Sequence, residues 1–309
     1  MLKPQLLRTL TVDSAAHPRG QPHLSAASGL VRAHGRCYVV ADDEHHLGKF
    51  KMVGNDPVKL RRMFAGDLPT DPQLRKAAKP DLESLCQLPA TARYPHGALL
   101  ALGSGSTDVR HTGVLMAFNS LGKLGKGDDL VTQRLDLRSL YAPLHTEFAD
   151  LNIEGCFVDG DVLHLVQRGN QGNPHSACIQ LHLPQIQAWI LDEENTPPPP
   201  SRITPIDLGD IEGVPFTPTD ACALPGGRWL LSAVAEDTPD SVQDGPCIAS
   251  AIAVLNPQGK VLQLHRLYGA PKVEGISAEA TGHQVNLLMV TDADNSAVAS
   301  QLLSVTLSI

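Results

Sequence analysis

The apolar residues of this chain fall into short runs that repeat in the same order five times. Each copy begins with an acidic or small polar residue and an apolar run, turns at a glycine-containing segment, and continues with a strongly apolar run that ends in polar residues. Short apolar runs separated by turn residues predict β-strands joined as hairpins. The copies are about 54 to 71 residues apart and open at Ser28, Glu83, Glu154, Asp220 and Glu274.

A repeat of this length built from short strands is typical of a β-propeller with one four-stranded blade per copy. The last copy ends at Ile309 after three strands, while residues 5–12 alternate like a further strand. We therefore predict an all-β fold, a single closed propeller over residues 1–309 whose last blade is completed by the N-terminal strand. Such closure leaves no exposed sheet edge. Five blades fit the pattern best, and a sixth is conceivable if the longest interval holds a degenerate blade.

Few segments have helical spacing. Residues 184–191 predict a short helix, and residues 56–63 fit either one helical turn or the final strand of a blade. Residues 193–200 are acidic and then proline-rich, a composition that favours exposed, extended chain. Since the repeat continues on both sides, we interpret this tract as an excursion within the propeller rather than a linker between domains.

Composition narrows the class of protein. A hydrophobic fraction of 42% with 19% charged residues excludes a disordered chain. A net charge of −8 argues against nucleic-acid binding, which needs a basic surface. No apolar run is long enough to span a bilayer, and the six cysteines are far apart without a C-x-x-C motif. We expect a reduced, cytoplasmic monomer that contacts neither membrane nor nucleic acid, with a trimmed secretory leader as the alternative.

The repeat also predicts where polar residues gather. The first strand of a blade lines the central channel and the second runs antiparallel to it, so the start of one and the end of the other share a face. Four of the five first strands start with an acid, and every second strand ends in polar residues. These second-strand ends are residues 42–44, 104–106, 168–170, 236–237 and 292–295.

Carboxylates that crowd one channel mouth raise one another's pKa unless positive charge neutralises them. Arginines supply that charge in one interpretation, and a hard divalent cation such as Ca²⁺, which takes six to eight oxygen ligands, supplies it in another. In a third interpretation, the carboxylates themselves act directly as acids and bases in a reaction. The candidate metal ligands are Asp42, Asp43, Glu83, Glu154, Glu274 and Asp292, and the candidate ligand-binding residues are Ser104, Ser106, Arg110, Arg168 and Asn170. No residue is assigned a catalytic role.

Two other motifs carry less weight. The segment LALGSGSTD lacks both the G-x-S-x-G of a nucleophile elbow and the Gly-Lys-Ser/Thr ending of a phosphate loop. His45 and His46 follow the acidic residues 42–44, but neighbouring residues on a strand point to opposite faces. We therefore interpret the two histidines as part of a polar loop rather than as a pair of metal ligands.

Four segments together carry a resemblance: SGLVRAHGRCYVVADDE, LESLCQLP with LLALGSGSTDVR, LNIEGCFVDGDVLHLVQRGN, and KVEGISAEATGHQVNLLMVTDADN. They resemble a family of uncharacterised bacterial β-propellers that is distantly similar to the "esterase-like activity of phytase" propellers. The resemblance extends from about residue 25 to the end of the chain. It implies a functional face where Glu83, Glu154, Glu274, Arg110 and Arg168 gather.

Two functions of different classes follow. The first is a hydrolase assisted by Ca²⁺ or another divalent cation, in which the acids hold the cation and the arginines orient a small ester or phosphoester. The second is a non-catalytic module whose channel mouth captures a small ligand or a peptide. In both, we expect the partner at the channel mouth to be a small molecule, an anion or an ester.

Overall fold

A computed structural model describes residues 1–124, 132–238 and 245–309, and these form five antiparallel sheets. The chain opens with β1 (Gln5–Thr9). The first blade is β2 (Ala27–Ala33), β3 (Arg36–Ala41), β4 (His46–Phe50) and β5 (Lys59–Arg62); the second is β6 (Leu82–Leu88), β7 (Ala98–Gly103), β8 (Thr112–Ala117) and β9 (Thr132–Asp136). The third is β10 (Ile153–Asp159), β11 (Val162–Gln167), β12 (Ser176–His182) and β13 (Arg202–Ile206).

The fourth sheet has an additional two-residue strand. It contains β14 (Asp210–Ile211), β15 (Val214–Leu224), β16 (Arg228–Glu236), β17 (Cys247–Leu255) and β18 (Val261–Arg266). The fifth contains β19 (Val273–Thr281), β20 (Gln284–Thr291) and β21 (Gln301–Ser308), and β1 completes it by pairing with β21. The inner strands β2, β6, β10, β15 and β19 pack in a ring, since β19 also packs on β2. The predicted five-bladed propeller, closed by its N-terminal strand, is confirmed.

A β-bulge interrupts every inner strand at the same place. The register against the second strand shifts between Ala27 and Leu30, and the corresponding shifts follow Leu82, Ile153, Pro218 and Val273. An extra residue in one strand re-aims its side chain, and bulges are common beside functional sites. In four blades the bulge coincides with the start of the repeat, at Ser28, Glu83, Glu154 and Glu274, and in the remaining blade it lies at Thr219.

The fourth blade departs from the sequence alignment by one residue. Thr219 occupies the bulge, whereas Asp220, which opens the fourth copy in the sequence, takes the next position, where Gly155 and Gly275 stand in two other blades. Asp220 is fully buried, and its carboxylate accepts hydrogen bonds of 2.8 Å from its neighbour's amide and from the amide of Ile276. Burial raises its pKa well above the ordinary value. Asp220 therefore joins two blades and does not face the channel.

Helices are short and lie between strands. They are α1 (Pro72–Ala78), α2 (Arg138–Tyr141), α3 (Leu144–Glu147), α4 (Leu183–Ile190) and the 3₁₀ turn Asp108–Arg110. Asp71 caps α1 by accepting a 2.9 Å hydrogen bond from the amide of Leu74. The predicted helix at 184–191 corresponds to α4, and residues 56–63 contribute the strand β5. Residues 193–200 connect α4 to β13, inside the third blade.

Aliphatic side chains fill the interfaces between blades. In the described residues, one buried hydrophobic cluster lies at each of the five interfaces, for example Leu10, Leu30 and Leu302 between the last blade and the first. Trp229 packs on Phe157 between the third and fourth blades. No helix in the described ranges is long and apolar enough to cross a membrane. Apolar packing between neighbouring blades thus holds the ring together, and polar residues lie along its axis.

Candidate functional site

A charged cavity lies where the inner strands begin, and all five blades line it. Its volume is about 80 Å³, which is room for an ion with several water molecules. Eight carboxylates and five cationic side chains face it: Asp42, Asp81, Glu83, Glu154, Glu236, Glu274, Asp292 and Asp294, with Lys76, Lys79, Arg110, Arg168 and Lys272. The central cavity therefore carries more negative than positive groups.

One ion-pair network joins the first and second blades. Lys79, which follows α1, places its ammonium on Asp42 and 2.7 Å from Oδ1 of Asp81. Asp81 also lies 2.9 Å from the guanidinium of Arg110 and accepts a 2.6 Å hydrogen bond from Oγ of Ser104. Burial alone would raise the pKa of Asp81, but Lys79 and Arg110 outweigh it and hold that pKa below the ordinary value. Asp81 is therefore an ionised acid fixed by three partners.

A second network joins the third, fourth and fifth blades. The guanidinium of Arg168 lies 2.5 Å from Glu236 and 3.3 Å from Glu154, and it donates to Oγ1 of Thr217 at 3.2 Å. Lys272 lies 3.4 Å from the same Glu236. Burial raises the pKa of Glu236, but the two cations outweigh it, so the net direction is downward. Each of the three nitrogens of the Arg168 guanidinium thus donates one hydrogen bond to the protein itself.

Three acids remain poorly compensated. Within the described ranges, Glu83 and Asp292 have no cationic side chain at ion-pair distance, and Oε2 of Glu274 is buried without a hydrogen-bond partner. Burial, together with neighbouring acids, raises the pKa of Glu83 and of Asp292 well above the ordinary value. Burial raises the pKa of Glu274 to about 8 even though Lys272 and Arg168 oppose it. These groups need a proton or a further cation.

The structure brings together five of the six acids predicted as metal ligands: Asp42, Glu83, Glu154, Glu274 and Asp292 line the cavity. Asp43 does not. Its carboxylate lies 2.7 Å from Arg19 in a neighbouring groove that Asp42 also lines, since the chain turns away from the cavity after β3 ends at Ala41. Carboxylate oxygens of Asp42, Asp81 and Glu83 all lie within 4.8 Å of one another.

Of the five predicted ligand-binding residues, three line the cavity and two do not. Arg110, Arg168 and Asn170 line the cavity, although Asn170 donates to Asp150 at 2.6 Å. Ser104 and Ser106 lie outside the lining. Ser106 accepts a 2.8 Å hydrogen bond from Arg110, and Ser104 is buried against Asp81, so both serines position charged neighbours rather than a ligand.

Sequence reasoning missed the residues two positions before each bulge. Asp81, Asn152 and Lys272 precede Glu83, Glu154 and Glu274 by two positions and line the cavity. Asn152 donates a 2.6 Å hydrogen bond to Glu154. The sequence could have indicated these three residues, since alternate residues of a strand share a face. Lys79 had no such signal, because it is placed by a helix that the pattern did not predict.

The adjacent histidines do not form a pair. His46 is buried, and desolvation lowers its pKa to about 4. His45 instead points toward the carbonyl of Gly66, with Nδ1 at 3.1 Å. The interpretation as a polar loop is therefore wrong for His46, which is buried at the start of β4, although the two rings do have different surroundings.

The sequence belongs to a known family of propellers without an assigned activity. Residues 75–296 match the model of DUF6910, a family of unknown function, and the chain belongs to that family. The sequence matches no curated protein. The predicted likeness to esterase-like and phytase-like propellers stays a prediction.

Several solved structures match this chain at low sequence identity. The catalytic domain of the GH62 α-L-arabinofuranosidase of Coprinopsis cinerea has a TM-score of 0.55 at 10% identity, covering 99% of this chain and 96% of its own. A family 43 arabinoxylan arabinofuranohydrolase from Bacillus subtilis gives 0.49 at 12%, covering 91% and 62%. The WD40 propeller domain of Doa1 gives 0.40 at 9%, covering 97% and 96%. Only the first of these three likenesses is strong enough to support the fold, and it says nothing about the chemistry.

Proposed function

We propose that this propeller binds a divalent cation in the central cavity and hydrolyses a small ester or phosphoester there. The observation that carries the proposal is the excess of carboxylates in a buried space. Glu83 and Asp292 have no cationic partner among the described residues, and Oε2 of Glu274 is buried without a hydrogen bond. An uncompensated buried charge is costly, so such a site favours positive charge.

The cation is proposed to bind at Asp42, Glu83 and Asp292. Asp42 and Glu83 offer oxygens within 4.8 Å of each other, and the charge of Asp42 acts on Asp292 strongly enough to raise its pKa. Carboxylate oxygens suit hard cations, which places Ca²⁺ and Mg²⁺ ahead of softer metals. The ion pair with Lys79 partly neutralises the negative charge of Asp42 before the cation binds.

The remaining residues supply the other parts of a hydrolytic site. A bound divalent cation would polarise the ester and lower the pKa of a coordinated water. Glu274, with a pKa of about 8, holds and releases a proton near neutral pH. Arg110 lines the cavity and offers positive charge to an anionic substrate. Arg168 holds Glu154 and Glu236 in place and is assigned no substrate contact.

An arabinofuranosidase activity is not carried over from the GH62 propeller. The described lining of the cavity is charged and contains no aromatic side chain on which a sugar ring could stack. With 10% identity, the likeness concerns the fold alone.

The alternative is a binding module without catalysis. The ion pairs of Arg168 with Glu154 and Glu236 favour it, because a guanidinium that is paired with two protein acids is a structural element. In this interpretation the cavity captures a small cationic ligand or a metal ion and performs no chemistry on it.

The test compares cation binding with turnover in the same preparation. Protein stripped with EDTA is titrated with Ca²⁺, Mg²⁺ and Mn²⁺ by calorimetry, and the loaded forms are assayed on p-nitrophenyl acetate, p-nitrophenyl phosphate and bis-p-nitrophenyl phosphate. The paired variants are Glu83→Gln and Asp292→Asn, with Asp43→Asn as the matched control. Cation-dependent turnover that both paired variants lose, and that Asp43→Asn keeps, supports the hydrolase. Saturable binding without turnover supports the module, and an absence of binding overturns the cation site.

A further inference from the structure

Two histidines meet at the surface between the second and third blades, outside the central cavity. His111 follows the 3₁₀ turn Asp108–Arg110, and His145 lies on α3. Their Nε2 atoms are 2.9 Å apart, with ring centroids separated by 5.1 Å and ring planes at 72°. Neither ring lines the cavity, and the proposed function uses neither.

We infer that His111 and His145 form a binding site for a borderline transition metal, Zn²⁺ foremost, with Cu²⁺ and Ni²⁺ in the same class. Imidazole nitrogen is the ligand that these ions share. Zn–N bonds of 2.0–2.1 Å in a tetrahedral site place two nitrogens about 3.3 Å apart, so the rings need to separate by only a few tenths of an ångström. His145 is exposed, and water fills the remaining coordination positions.

The surroundings add negative potential. Asp108 lies close enough for its charge to act on His145, and Nε2 of His111 donates to the carbonyl of Gly105 at 3.1 Å, a hydrogen bond that metal binding must replace. Binding requires both Nε2 atoms to be unprotonated, which moves the proton of each ring to Nδ1. Because Nδ1 of His111 is buried without a partner in the described structure, we expect an affinity about 10- to 100-fold weaker than that of a site with a complete outer shell.

This site differs in chemistry from the carboxylates of the cavity. Imidazole nitrogens select borderline ions, whereas carboxylate oxygens select hard ones. Excess Ca²⁺ therefore occupies the proposed cavity site and leaves the histidines free. The inference does not depend on the proposed hydrolytic function, and either can fail alone.

The experiment titrates the EDTA-stripped full chain with Zn²⁺ against a chromophoric zinc chelator, in the presence of excess Ca²⁺. His145→Ala lies on an exposed helical surface, and His111→Phe keeps a ring against Tyr141. His96→Ala and His283→Ala remove exposed histidines elsewhere and serve as controls. Thermal melts of each variant verify folding, and electron paramagnetic resonance of the Cu²⁺ form reports the number of coordinated imidazoles.

We expect one Zn²⁺ per chain, a Cu²⁺ spectrum with two nitrogen ligands, and at least a tenfold weaker affinity in His145→Ala and His111→Phe. The control variants should bind like the wild type. The inference is overturned if the wild type shows no saturable Zn²⁺ binding, or if His145→Ala binds as tightly as His96→Ala.

Discussion

Arg168 of the third blade lies 2.5 Å from Glu236 of the fourth, and the same guanidinium reaches Glu154 at 3.3 Å. One cation thus holds acids from two blades at the channel mouth. Each of these side chains is at most 11% exposed, so water does little to replace a lost partner. The stability of the site and that of the blade interface are therefore linked through one residue.

Replacing Arg168 by alanine should lower the free energy of unfolding by about 3 to 5 kcal/mol, since buried Glu154 loses its ion pair and Glu236 keeps only Lys272. Urea denaturation measures the change. The matched control is Arg138→Ala, whose ion pair with Asp136 is exposed to water and salt, so its loss should change the free energy of unfolding much less. Equal effects in the two variants would contradict the importance we give to the buried network.

Glu83→Gln should stabilise the cation-free protein, because burial and nearby acids disfavour the charged form of Glu83. The same change should abolish the rise in melting temperature that Ca²⁺ produces in the wild type. Differential scanning fluorimetry with Ca²⁺ and with EDTA measures both. Asp43→Asn should respond to Ca²⁺ like the wild type, and a lost response in that control would move the site to the neighbouring groove.

The pKa of Glu274 predicts a pH dependence in the cation-free state. Burial raises this pKa from 4.5 to about 8, so the folded protein binds a proton that the unfolded chain has released. The contribution of Glu274 to stability is fully present below pH 4.5 and is lost as the pH rises toward 8. Glu274→Gln should flatten this part of the stability profile, measured by urea melts from pH 5 to 8. A profile identical to that of the wild type would contradict it.

His164 predicts the opposite slope at lower pH. Desolvation lowers its pKa from 6.5 to about 4, since the ring is stacked on Phe157 in the interior. The unfolded chain binds the proton first, so stability is present above pH 6.5 and is lost as the pH falls toward 4. His164→Phe should reduce that loss, and exposed His283→Ala should not. Melting temperatures between pH 7 and 4 distinguish the two.

Deleting residues 1–12 should lower the melting temperature clearly. The deletion removes β1 from the last blade and takes Leu10, which is fully buried, from the interface with the first blade. The single change Leu10→Ala should cost about 2 to 5 kcal/mol, as expected for a large-to-small change in a core. If both variants melt like the wild type, ring closure does not contribute to stability.

Turn chemistry and apolar periodicity were sufficient to predict the ring, its five blades and the closing strand, because both act within a few residues. They were also sufficient to bring Glu83, Glu154 and Glu274 to one mouth. They failed at Asp220, where a bulge moves the equivalent position to Thr219, since a strand's period of two does not reveal an inserted residue.

The positions of Lys79, His111 and His145 could not be predicted from the sequence, for a different reason. Lys79 reaches Asp42 and Asp81 from the end of a seven-residue helix with little amphipathic pattern. His111 and His145 are 34 residues apart and meet only because α3 folds back beside the second blade. No local rule relates such residues, so only the assembled blades show them as neighbours.

The bulges also allow the side chains at the channel mouth to vary without a change in strand pairing. Each bulge residue is extra to the ladder and pairs with no residue of the second strand, so its side chain can change while every strand keeps its register. Ser28 is the neutral member among those that line the cavity, beside three glutamates. A propeller of this kind can therefore acquire a new ligand preference by single substitutions at these positions, which makes Ser28 the natural first site for redesigning its selectivity.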